Sequence, residues 1–195
     1  TKPASGSCYP YQKDIVSNKP QHACFSKGVY LGRGTIISES IAKSSGGAID
    51  AVSCSIALEQ VTLKRNKAQG IDKDGGAIHL GTASKLNIDA STHFVENSAD
   101  HGSGGAIACN HCDSIKLSGA TTFTNNTADH NGGALSIINP ASPLITSNES
   151  IFSKNIANKG DGGGVFFLDA TTKGVWKAFK DRFEANVAVL GAGGA

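Results

Sequence analysis

Phe94-Val95-Glu96-Asn97-Ser98-Ala99, followed by Gly104-Gly105-Ala106-Ile107, is the stretch around which the chain is organised. The pair of phrases returns as Phe123-Thr124-Asn125-Asn126-Thr127-Ala128 with Gly132-Gly133-Ala134-Leu135, and as Phe152-Ser153-Lys154-Asn155-Ile156-Ala157 with Gly163-Gly164-Val165-Phe166. Working outward, the glycine pairs begin at Gly46, Gly75, Gly104, Gly132, Gly163 and Gly193, and their second members include Gly47, Gly76, Gly105, Gly133 and Gly164. The apolar residue that opens the other phrase falls at Leu63, Phe94, Phe123, Phe152 and Phe183. Asn follows three later at Asn66, Asn97, Asn126, Asn155 and Asn186, and Ala two beyond that. A fixed period of about 30 residues marks a solenoid.

Inside each period apolar and polar residues alternate, as in Lys85-Leu86-Asn87-Ile88-Asp89, which is a strand signal. No segment keeps a long 3.6-residue period. Trp176 to Ala188 comes nearest to a helix, but Phe183 and Asn186 hold the repeat register, so strand and turns are expected there too. The fold expected is all-β: a right-handed parallel β-helix of about 29-residue coils with three short strands per coil. Coils at the ordinary strand spacing of about 4.8 Å would stack equivalent residues into columns. One column reads Ile49, Ile78, Ile107, Leu135 and Phe166; a second Ile56, Leu86, Ile115, Leu144 and Val175; the third is the Leu63-to-Phe183 series. No coil buries its apolar face alone. Stacked Asn suits an internal amide ladder, and the glycines suit positive φ or close approach of backbone. Residues 1–28, with three of the five Pro, read as an irregular lead-in, and 29–195 as the β-helix. The last residues, Gly193-Gly194-Ala195, stop within the phrase, so a fragment truncated at its C-terminal end is expected.

The alternation of Gly-Gly-Ala-Ile and Phe-x-x-Asn over roughly residues 35–195 resembles the repeats of chlamydial polymorphic membrane proteins. The copies that carry the likeness include Gly46-Gly47-Ala48-Ile49, Gly75-Gly76-Ala77-Ile78, Gly104-Gly105-Ala106-Ile107 and Gly132-Gly133-Ala134-Leu135. Two copies depart, with Leu63 for Phe and Val165-Phe166 for Ala-Ile, and both stay apolar. The resemblance implies an autotransporter passenger at the bacterial surface or secreted, an adhesin for a host cell-surface receptor or glycan, capable of self-association. It also implies a membrane-embedded barrel that this fragment does not contain. Because Phe and Asn of the phrase are expected to point inward, their tie to adhesion is expected to be indirect.

Composition agrees with a non-catalytic surface role. Net charge is +2 with no basic run, which gives nucleic-acid binding no electrostatic support. No stretch reaches the length of a transmembrane helix. Neither cofactor nor metal nor catalytic residue is expected. Parallel β-helices also host polysaccharide lyases and hydrolases, the enzymatic alternative, but those need clustered carboxylates, and Asp50, Asp89, Asp113 and Asp169 are scattered. A purely structural spacer is the other alternative.

Several side chains are nonetheless candidates for contact. Asp100-His101 and Asp129-His130 occupy equivalent turns, where two Asp and two His could converge as a metal or acid–base cluster. Cys109-Asn110-His111-Cys112 has the spacing of a redox pair or half a zinc site, with His79 a neighbour, and a local disulfide or two free thiols is the plainer expectation. With five Cys, Cys8 and Cys24 are expected to pair and Cys54 to be the odd thiol. Lys159-Gly160-Asp161 has the form of an integrin-recognition tripeptide. Specific contacts are expected where the repeat is least faithful, in the turns 70–74, 100–103, 109–113, 139–143 and 158–162.

Overall fold

The computed structural model describes residues 22–25, 28–89, 91–141, 144–170 and 174–195. It is a parallel β-solenoid, and no helix occurs among the described residues. Four six-stranded sheets run along it, each built from one strand per coil. The first holds, among others, Ile49–Val52, Ile78–Leu80, Ile107–Asn110 and Leu135–Ile138; the second Gly28–Leu31, Ser55–Leu58, Lys85–Ile88 and Ser114–Leu117. The third contains Thr62–Lys64, His93–Val95, Thr122–Thr124 and Ile151–Ser153. The fourth is made of two-residue strands such as Lys67–Ala68, Ser98–Ala99 and Thr127–Ala128. A coil therefore has four strands rather than three. The extra one is the pair that follows the ladder Asn, too short to show alternation.

The chain turns from the third sheet into the fourth at the residue before each ladder position, which is Ser40 in the first coil and Asn in the others. Glu39, Arg65, Glu96, Asn125, Lys154 and Ala185 all sit there with φ between 51° and 58°. Only Asn125 is of a residue type suited to that left-handed region, so the corner is held by what surrounds it. What holds it is the Asn ladder. Asn97 Oδ1 accepts from both the backbone N and the Nδ2 of Asn66, each at 3.0 Å, and Asn97 Nδ2 donates to Leu63 O and Asn126 Oδ1. Asn126, Asn155 and Asn186 repeat the pattern, and Ser40 N closes it at the other end on Asn66 Oδ1. Beside the ladder the rings of Phe94, Phe123, Phe152 and Phe183 stack at 4.8, 4.7 and 4.9 Å with interplanar angles of 5° or less. Ring spacing equals strand spacing, so one geometry satisfies backbone pairing and ring stacking together. Ala68, Ala99, Ala128 and Ala157 are buried next to the ladder.

The two glycines of each pair serve different ends. Gly46, Gly75, Gly104, Gly132, Gly162 and Gly193 have φ between 67° and 75°. The second glycine has ordinary φ but no room: a Cβ on Gly105 would lie 2.1 Å from Gly133 O and 2.6 Å from the Thr127 backbone. At this point the returning chain presses against the fourth sheet of its own coil.

Two columns run differently from the sequence expectation. Leu135 pairs with Val165, so Gly162 and Gly163 are the true pair, Gly164 takes the Ala position, and Phe166 lines up with Ser136 on the outer face. Three consecutive glycines at 162–164 leave the register open until the backbone pairs. Likewise Ile115 pairs with Ile145, and Ile145 with Trp176, so these rather than Leu144 and Val175 continue the second inward column. The insertion before Leu144 lets two apolar neighbours compete for one place. The sheets also begin before Val29, since His22–Phe25 already pairs with Ile49–Val52. Residues 1–21 of the lead-in, with Cys8, lie outside the described residues, as do the side chain of Cys24 and residues 142–143 of the turn 139–143.

Candidate functional site: the outward columns and the turns

With the phrase residues consumed by the interior, any site must be built from outward strand positions and turns. One turn cluster forms in part. Asp129, 14% exposed, has its Oδ2 2.9 Å from Lys159 Nζ and 4.0 Å from both His101 Nδ1 and His130 Nε2. Asp100 does not join it. Its carboxylate turns to Lys67 Nζ at 2.8 Å and accepts from Ser98 Oγ. The expected convergence of two Asp and two His is thus one Asp with two imidazoles at long range, and the ammonium of Lys159 stands against its carboxylate. Among the described residues no three His, Cys, Asp or Glu gather as a metal site.

The Lys159-Gly160-Asp161 tripeptide lies flat on the neighbouring turn. Asp161 N donates to Asn131 Oδ1, Asp161 Oδ1 accepts from Ala192 N, and a Cβ on Gly160 would meet Asn131 Oδ1 at 2.2 Å. This is part of a second, exterior ladder. Ser45, Asp74, Ser103, Asn131 and Asp161 each accept from the backbone N of the equivalent residue one coil on. Sequence comparison misses this ladder because Ser, Asp and Asn share only a short oxygen-bearing side chain.

Cys109 and Cys112 form a disulfide with Cα atoms 5.4 Å apart, both sulfurs buried in the apolar core. His111 at φ 61° makes the turn between them. A half zinc site is ruled out there, because the thiols are joined and His79 stands on the opposite, outer face. His79 Nδ1 instead meets Asp50 Oδ1 at 2.7 Å. Cys54, expected to be the odd thiol, is itself disulfide-bonded.

Asp50, His79, Ala108 and Ser136 follow one another along an outer column of the first sheet. The order suggests a nucleophile, base and orienting acid, but Ala108 fills the rung between His79 and Ser136. Two rungs separate the pair by about 9.6 Å, far beyond proton-transfer reach.

The outer face of the second sheet carries a groove of about 590 Å³ that spans four coils. Its lining runs along two outward columns, Gly28, Ser55, Lys85 and Ser114 in one and Tyr30, Ala57, Asn87 and Lys116 in the other. Tyr30 is 66% exposed, yet its hydroxyl donates to Glu59 Oε2 at 2.6 Å. Arg33 Nε holds the other oxygen, Oε1, at 2.7 Å. The hydrogen bond from Tyr30 first, and then that from Arg33, lowers the Glu59 carboxyl below its usual range. The bond to Glu59 raises both the Tyr30 phenol and the Arg33 guanidinium. Sequence reading did not find this cluster, because its residues belong to no repeated phrase and meet only through cross-coil register.

Residues 120–137, which hold one complete Phe-x-x-Asn phrase and one Gly-Gly-Ala-Leu phrase, match the Chlamydia polymorphic membrane protein (Chlamydia_PMP) repeat. No curated protein and no solved structure matches the chain.

Proposed function

We propose, from the match of residues 120–137 to the Chlamydia polymorphic membrane protein repeat, that the chain is part of a surface-exposed autotransporter passenger that attaches to host cells as a non-catalytic rod. The observation that carries this reading is the division of labour across the strand. Inward columns stay apolar, or Asn in the ladder, along the rod, whereas an outward column of the second sheet reads Tyr30, Ala57, Asn87, Lys116, Thr146 and Lys177. Inward positions answer to stacking; outward ones are free to be shaped by a partner. A non-catalytic role is supported by the separation of His79 from Ser136 and by the Lys159 ammonium against Asp129. The receptor engages side chains and turns, not the phrase itself.

The test is direct binding of the folded, labelled chain to cultured epithelial cells. Saturable binding that unlabelled chain displaces is expected. Absence of saturable binding across several cell types would reject the attachment role.

A further inference from the structure

We propose that the groove on the outer face of the second sheet binds an acidic oligosaccharide. This rests on the attachment reading for its biological setting and deepens it by naming a surface and a ligand class.

Three observations carry the inference. First, the charge of the lining has one sign. Lys85 and Lys116 line the groove and no carboxylate does. Lys116 makes no ion pair among the described residues, and Lys85 has only a long 3.8 Å contact to Asp113. Three acids flank the groove without lining it: Glu59 is held by Tyr30 and Arg33, Asp89 accepts from Asn87 Nδ2, and Asp113 lies 3.8 Å from Lys85. Lys116 therefore presents unpaired positive charge to an anionic ligand, with Lys85 on the neighbouring coil held only by its long contact to Asp113. Second, the shape suits sugar rings. The small Ser55 and Ala57 leave a depression between Tyr30 on one neighbouring coil and Lys85 and Asn87 on the other, and Tyr30 stands at one end as an aromatic plate whose hydroxyl is held by Glu59. The ring lies over Gly32, where an added Cβ would come within 3.3 Å of it. Asn87 adds only its Nδ2, which also donates to Asp89, because its Oδ1 is shielded from solvent. Third, the face offers nothing to a peptide strand. Ser55–Leu58, Lys85–Ile88 and Ser114–Leu117 are each hydrogen-bonded to neighbouring strands on both sides. An extended peptide thus finds no free backbone edge to pair with, the usual source of its affinity on a sheet. A ligand recognised by ring stacking, hydroxyl hydrogen bonds and negative charge fits better than an acidic peptide.

The experiment titrates the isotopically labelled chain with hexasaccharides and follows backbone amide shifts, with calorimetry at low and physiological salt. The probes are oligogalacturonate (carboxylate only), chondroitin sulfate (carboxylate and sulfate), neutral cellohexaose and a Glu-rich peptide of matched charge. Shift changes are expected to centre on residues 28–30, 55–57, 85–87 and 114–116. The better acidic sugar is expected to bind at least about tenfold more tightly than cellohexaose and the peptide. Its affinity is expected to fall about tenfold in K85A/K116A and again in Y30A, and to weaken with salt. These side chains lie outside the core, so an unchanged melting curve certifies the fold of the variants. The proposal is overturned by no response to either acidic hexasaccharide, by shifts spread evenly over every lysine-bearing face, by equal affinity of K85A/K116A, or by a peptide that binds as well as the sugars. The cell assay separates the two readings. Attachment that survives in a variant blind to the sugars would leave the adhesin role standing without the groove, and sugar binding by a chain that ignores every cell type would do the reverse.

Discussion

Asn126→Ala is the sharpest perturbation of the solenoid. Asn126 Oδ1 accepts from Asn97 N and Asn97 Nδ2 at 3.0 Å, and its Nδ2 donates to Phe94 O and Asn155 Oδ1 at 3.0 Å. Truncation removes four hydrogen bonds at a site with no exposure. Asn97 Nδ2 keeps Leu63 O, and Asn155 Oδ1 keeps the backbone of Asn126, but Asn97 N–H loses its acceptor. A buried N–H without a partner costs about 1–3 kcal/mol, and each further bond lost about 1 kcal/mol. The sum is roughly 4–6 kcal/mol, a third or more of the stability of an ordinary domain. Asn186→Ala is the internal control. Asn186 makes the same bonds to Asn155 and Phe152 O, but it is half-exposed on the last coil, where water can replace it. Its loss should cost about 1 kcal/mol. The assay is equilibrium urea unfolding followed by far-ultraviolet circular dichroism, comparing the two midpoints. Because a solenoid can unfold coil by coil, a broadened or two-step transition in N126A also counts as the expected defect. Equal midpoints for N126A and N186A would refute the ladder as the element that holds the corner.

Other predictions follow from neighbouring features. Gly105→Ala forces a Cβ to within 2.1 Å of Gly133 O and should cost more than about 3 kcal/mol or abolish folding, whereas Gly34→Ala, with open space but φ of 77°, should cost about 1 kcal/mol in the same urea assay. Replacing Cys109 and Cys112 by Ser opens a loop with a sequence separation of 3, so chain entropy alone predicts a loss of about 2 kcal/mol in thermal melts. Glu59 titrates below the usual carboxylate range in the folded chain, so its bonds to Tyr30 and Arg33 are fully present above the unfolded value and are lost as pH falls through the lowered folded one. Carboxyl carbon-13 shifts should place the Glu59 midpoint below the ordinary glutamate value, and Tyr30→Phe should move it upward.

Much of the interior was legible in the sequence because stacking demands like residues at like places. The Phe stack and the Asn ladder lie where the phrase puts them, since each ring or amide bonds only to its own kind one coil away. Legibility failed where two neighbours could serve equally. Gly162, Gly163 and Gly164 are chemically the same, and Leu144 and Ile145 are both apolar, so only hydrogen-bond register decides between them. The exterior was harder still. Tyr30, Lys85 and Lys116 belong to no repeated phrase, and nothing in a linear reading brings them to one groove. Asp100 and Asp129 occupy matching positions, yet Lys67 draws one and Lys159 the other, because the partner of an exposed charge depends on its neighbours rather than on its place in the repeat. The exterior Ser, Asp and Asn ladder likewise escaped notice, since its function needs an oxygen and not a particular side chain.

The central claim is that the recurring phrase is the rod's internal framework and leaves the outer surface for recognition. Hydrogen exchange of the side-chain carboxamides tests it most directly. Asn97, Asn126 and Asn155 are predicted to keep their Nδ2 protons long after transfer to heavy water, while the exposed carboxamide of Asn158 exchanges at once. Exchange of the three ladder carboxamides as fast as that of Asn158 would place them at the surface and contradict the account.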